Sequence, residues 1–179
     1  MSAFRKPSVR LQPTLPDAVP STPCPLWRRL LALVYDLLIV VAIVMVVGLL
    51  CQLATGGQLI RTDGHAVIPV WYRPLQGLVV SAYFISSWLR GGQTVGMRPW
   101  HIRLTGRDGG SPTLQQAVLR LLVAAAPMLL LMLAPTLGLR TTLWTLLAAW
   151  AAWFAPALVD PRRRALHDIV AATELRRLG

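Results

Sequence analysis

Four long stretches with almost no charge dominate this chain and leave few folds open to it. Residues 30–51, 71–89, 117–139 and 141–159 run for 22, 19, 23 and 19 residues and hold four charged side chains at most one apiece: Asp36, Arg73 and Arg120, with none in the last. At 1.5 Å of rise per residue, a helix of about 20 residues crosses the ~30 Å hydrocarbon core of a bilayer. All four stretches therefore predict membrane spans. They take 83 of the 179 residues, which leaves no room for a second globular domain. Only 14% of the residues are charged, against roughly 25% in a soluble domain.

The third and fourth stretches nearly touch. Pro135 and Gly138 break the helical pattern and Arg140 would sit badly in hydrocarbon, so a tight helical hairpin is expected there. Residues 1–25 are different in kind: they hold six of the fourteen prolines and no helical periodicity, and are read as a disordered cytoplasmic arm. They do not read as a signal peptide, because the apolar run starts only at Leu30, is too long, and lacks a cleavage site.

Eighteen Lys and Arg against seven Asp and Glu give a net charge of +11. In a soluble chain this would suggest nucleic acid. Here fifteen basic residues lie before span one, between spans two and three, or after span four, and only Arg61, Arg73 and Arg140 lie in the other connections or ends. Cytoplasmic loops of membrane proteins carry such an excess, so both termini are expected in the cytoplasm, beside anionic headgroups. With neither zinc-ligand spacing nor an aromatic RNA-binding motif, nucleic acid is not an expected partner. Cys24 and Cys51 are 27 residues apart, roughly 40 Å along a helix, so no disulfide is expected between them.

Two charges fall inside the predicted spans near the cytoplasmic side. Asp36 lies six residues past Leu30, and Arg120 six past Leu114, where the third helix plausibly starts. Equal depth on two helices rising from one side predicts an Asp36–Arg120 salt bridge. Asp36 then reads either as half of a structural pair or as a proton or cation site. Arg29 is two turns before Asp36 on the same face, and reads either as a headgroup anchor or as a partner of Asp168. Leu166, Ile169, Val170 and Thr173 follow i, i+3, i+4, i+7, which predicts a short C-terminal interfacial helix carrying His167 and Asp168. Between spans two and three, Gly91-Gly92 ends a helix, residues 93–98 suit one helical turn, and residues 100–105 alternate as a strand. The turn signal Arg107-Asp-Gly-Gly110 after it predicts a small cytoplasmic β-hairpin, to which residues 173–178 add a strand. The fold class is thus an all-α polytopic membrane protein with four transmembrane helices.

Taken in order, Arg29-Leu-Leu-Ala-Leu-Val-Tyr-Asp36, Gly92-Gln-Thr-Val-Gly-Met-Arg98, Ile102-Arg-Leu, Asp108-Gly109, Leu119-Arg120, Leu166-His-Asp168 and Ala172-Thr173 form a set. It resembles the RDD family of small bacterial membrane proteins, named for one arginine and two aspartates, over about residues 25–175. The resemblance implies a location in the bacterial cytoplasmic membrane and carries the named residues to Arg29, Asp36 and Asp168. It departs at Ala171-Ala172-Thr173, where the family usually has Ala-Gly-Thr, which bears on a tight C-terminal turn.

No Ser/His arrangement, paired in-membrane aspartates, HExxH or GxxxxGK[ST] occurs, so the chain is not expected to be an enzyme or to hold a cofactor or metal. Two classes remain. One is ion- or proton-coupled transport, alone or as a transporter subunit, with Asp36 titrating. The other is a non-catalytic membrane assembly module that packs against copies of itself or other membrane proteins.

Overall fold

Helix α1, Leu26–Ala54, follows directly on Pro25 and buries only three of its 29 residues, Arg29, Ala32 and Asp36. Those three positions form one stripe at i, i+3 and i+7, so α1 meets the remainder of the protein chiefly along its first three turns. This computed structural model of the protein describes residues 23–57, 59 and 68–178. Residues 1–22 of the expected arm, and Arg61, lie outside the described residues. Pro23 bridges to Arg176, and the Cys24 amide donates to the Leu175 carbonyl at 3.3 Å. Residues 23–25, which the sequence places in the arm, are thus seated on the C-terminal strand.

Helix α2, Tyr72–Gly91, lies against α1 and α3. Helix α3, Leu114–Ala125, opens on a capping box in which Thr113 and Gln116 satisfy each other's backbone amides. From Ala126 to Leu133 the chain tightens into a 3-10 helix, then runs through α4, Ala134–Leu137. Pro127 accounts for the change, since it has no N–H to bond the carbonyl four residues back. That carbonyl, on Val123, accepts from the Ala126 amide and from the Trp153 indole N–H at 3.0 Å. A proline inside an apolar helix is thus tolerated because a neighbouring helix supplies a donor. The expected helical hairpin is present: Gly138, at φ +79 and ψ 148, ends α4, and α5, Leu139–Phe154, returns along the 3-10 segment. Helix α6, Pro156–Val159, extends α5.

Three helical stretches are long and apolar enough to cross a membrane: Leu26–Ala54, Leu114–Leu137 and Leu139–Val159. The fourth expected span is helical, and its 20 residues are long enough, but α2 is more polar. Several of its polar groups are used against neighbouring backbone and side chains. Gln76 donates to the Val44 carbonyl, Tyr83 to Asp36, and Ser86 to the Tyr83 carbonyl.

The expected β-hairpin does not form. Strand β1, Ile102–Gly106, pairs antiparallel instead with β2, Thr173–Arg177, with Leu104 opposite Leu175. The 106–110 turn does form, with the Gly106 amide donating to the Gly110 carbonyl, but it leads into α3 rather than a second strand. The expected C-terminal helix is α7, Leu166–Val170, and it packs on α3 and α5 with His167 and Asp168 buried rather than lying flat on a surface. Cys24, Ala32, Trp88, Met97, Ile102, Leu104, Ala117 and Leu175 make the core. It sits where the sheet meets the start of α1, the end of α2 and the start of α3, so the chain's two ends share one end of the helical array. Both cysteines are free.

Between α7 and β2 the turn is made with Ala172 at φ +53, a left-handed conformation that disfavours a side chain. Ala172→Gly should therefore stabilise the protein by about 1 kcal/mol, read as a higher midpoint in thermal unfolding of the detergent-solubilised chain.

Candidate functional site

Asp168 has no exposed surface. Its Oδ2 accepts from Arg29 Nη1 and from the Ala165 amide, each at 3.0 Å, and its Oδ1 accepts from Arg120 Nη1. One carboxylate thus joins α1, α3 and α7. Arg29 also donates from Nε to the Cys24 carbonyl at 3.2 Å and from Nη2 to the Leu175 carbonyl at 3.5 Å. Arg120 also donates to Thr173 Oγ1 at 3.1 Å, and its guanidinium lies 5.3 Å from the Trp88 ring centre. The β-strands are tied into the node through both arginines. Arg29 is therefore a partner of Asp168, the second of its two sequence readings.

The expected Asp36–Arg120 salt bridge is absent. Asp36 accepts instead from Tyr83 Oη at 3.1 Å, Thr94 Oγ1 at 2.6 Å and the Gly96 amide at 3.0 Å. All three donors come from α2 and the segment after it. Gly96 makes this possible: a Cβ there would stand 2.5 Å from the Ala32 carbonyl oxygen and 2.7 Å from Asp36 Cγ. The loop can press its backbone onto α1 only with glycine at this position. Depth was read correctly, since Asp36 and Arg120 line a single cavity of about 40 Å³ together with Arg29 and His167. The pairing differs because α7 brings a second carboxylate to the same level, and Arg120 takes that one. Tyr83, Thr94 and Gly96 were not singled out from sequence, although Thr94 and Gly96 lie inside the Gly92–Arg98 motif.

His167 stands beside this node, its Nε2 3.6 Å from Asp168 Oδ1 and its ring edge-on to Phe154 at 5.5 Å. Burial, with the charge of Arg120, pushes its pKa down to about 4 against the opposing pull of Asp168. It is neutral near pH 7. Burial opposes ionisation of Asp168, but Arg120, His167, Arg29 and the Ala165 amide together hold its carboxyl below the ordinary range. No group of three or more His, Cys, Asp or Glu among the described residues is placed to hold a metal ion.

A helical protein with membrane-crossing apolar helices and a buried Arg–Asp–Arg node at one end defines the class: a polytopic membrane protein whose charges are gathered at the helix ends. Residues 23–172 match the RDD family, and the chain belongs to that family. No curated protein and no solved structure matches it.

Removing one partner from a buried ion pair strands the other, at a cost of about 3–5 kcal/mol. Asp168→Asn should destabilise the protein on that scale, measured by thermal unfolding in detergent. Because Asp36 and Arg120 are not directly paired, the double variant Asp36→Asn/Arg120→Gln should show no recovery over the single variants. For His167, the depressed folded pKa means that the unfolded chain takes up a proton below about 6.5 while the folded one resists until about 4. Stability contributed by the neutral imidazole is complete above pH 6.5 and is lost as pH falls toward 4. Wild type should lose unfolding midpoint over that window, and His167→Gln should flatten the slope.

Proposed function

We propose that this protein is a non-catalytic assembly module of the bacterial cytoplasmic membrane, crossing it four times with both termini in the cytoplasm. The observation that carries the reading is that the interior charges are satisfied within the chain. Asp168 holds Arg29 and Arg120, and Asp36 accepts three hydrogen bonds from its own α2 and the loop after it. Such a node serves to fix helices at one end while their apolar flanks meet lipid or other membrane proteins. The arginine-rich connections gather at that same end, which supports placing it on the cytoplasmic side. α2 supplies the fourth crossing, shielded on its polar side by α1.

A second reading, proton- or cation-coupled transport through Asp36, is favoured by one observation. The carboxylate lines a cavity that also presents both arginines and His167. At about 40 Å³ the cavity suits a water molecule or a bare ion rather than an organic substrate.

Purified protein in proteoliposomes, wild type beside Asp36→Asn, separates the two. The module reading expects no pH- or cation-dependent flux from either. Flux in wild type that vanishes in a folded Asp36→Asn variant would establish transport instead. Reporter fusions at each terminus should both report cytoplasm, and an extracellular signal from either end would overturn the four-span arrangement.

A further inference from the structure

The segment that holds Asp36 has a second face. Thr94 and Gly96 turn toward the carboxylate, while Gln93, Val95 and Arg98 line a separate pocket of about 230 Å³ with Ser86, Ser87, Arg90 and Gly91. Two arginines enter this pocket, one from the last turn of α2 and one from beyond the loop. Neither has an acidic partner among the described residues, in contrast to Arg29, Arg120, Arg162 and Arg164, which are all paired. The Ser87 hydroxyl makes no hydrogen bond to another described residue. The Gln93 amide is already committed, donating to the Ile102 carbonyl at 2.7 Å, and so braces the wall instead of reaching for a ligand. Asp36 lies on the other face of the loop, enclosed by its three donors.

We propose that this pocket binds a phosphate group, and that its occupant is the headgroup phosphate of an anionic phospholipid. Two guanidinium groups and a hydroxyl are a donor set without an internal acceptor, and arginine matches phosphate oxygens in geometry as well as charge. The carbonyl end of α2 contributes roughly half a negative charge nearby, which two full positive charges outweigh. The lipid source follows from position. The pocket is at the end of a helix of a membrane protein, and exposed Leu89 and Val95 beside it offer apolar surface to acyl chains. Occupancy would also brace the loop whose opposite face grips Asp36.

The test is calorimetric titration of the full chain in detergent with dioctanoyl-phosphatidylglycerol, dioctanoyl-phosphatidylcholine and inorganic phosphate. Phosphatidylglycerol is expected to bind in preference to the other two, and Arg90→Gln/Arg98→Gln should weaken it about tenfold or more, the scale of lost charge-assisted hydrogen bonds. Arg73→Gln/Arg140→Gln removes the same charge at the other end of the helices and should leave binding unchanged. Ser87→Glu, which places a carboxylate in the pocket, should reproduce the loss should the double arginine variant fail to fold. Phosphatidylglycerol binding that survives both Arg90→Gln/Arg98→Gln and Ser87→Glu overturns the site. Inorganic phosphate bound as tightly as phosphatidylglycerol overturns the lipid assignment and makes the occupant a soluble phosphate.

Discussion

A carboxylate with no exposed surface is tolerable only with charge and hydrogen bonds around it, and Asp168 draws both from three parts of the chain. Arg29 arrives from the first helix, Arg120 from the third, and the Ala165 amide from the turn that leads into Asp168 itself. Each arginine then spends further donors on backbone or hydroxyl groups at the sheet, at Cys24, Leu175 and Thr173. The helices are therefore held less by apolar packing than by one electrostatic node at their end. In a bilayer this is physically sensible, because lipid tails are as apolar as leucine and give helices no hydrophobic reason to associate. The distribution of burial agrees. Long apolar side chains such as Leu38, Met45 and Leu53 stay exposed, while the closely packed core is confined to the end that carries the sheet.

Much of this was legible in the sequence. The apolar runs marked the helices, and helical rise placed Asp36 and Arg120 at a common depth. The Pro135/Gly138 break gave the hairpin, and the identity of the charged group was complete: Arg29, Asp36, Arg120, His167 and Asp168 all line or adjoin the same interior region. What failed was the choice of partner. Depth along a helix carries no information on the direction a side chain faces, and two acids and two bases at one level can be joined in more than one way. The deciding feature is Gly96, whose missing side chain lets a loop close over Asp36 and supply it with neutral donors. A glycine in a polar loop reads as a turn, and nothing in its local context says what will approach it.

The same limit explains the sheet. Arg107 to Gly110 is a genuine turn, so the local signal was correct, yet the strand before it found its partner about seventy residues away. Hydrogen-bonding capacity along an edge is indifferent to sequence distance, whereas a turn signal is local. At Ala172 the order of influence is reversed. The backbone adopts the left-handed turn although alanine resists it, because the contacts of Asp168 on one side and Thr173 on the other fix both flanks.

The seating of Pro23 and Cys24 on the final strand has a consequence for biosynthesis. The first helix is made early, with Arg29 and Asp36 near its start, but the carboxylate that neutralises Arg29 and Arg120 is synthesised almost last. So is the strand that pairs with Cys24 and β1. Throughout translation the growing chain must therefore carry two uncompensated arginines at its helix ends, in contact with water or headgroups. The helices can be inserted one after another as the ribosome delivers them, but their lateral arrangement is not set until the tail returns to join the beginning. Assembly is then a single closing event at the end of synthesis, and a chain cut short before Asp168 would be inserted without being fastened.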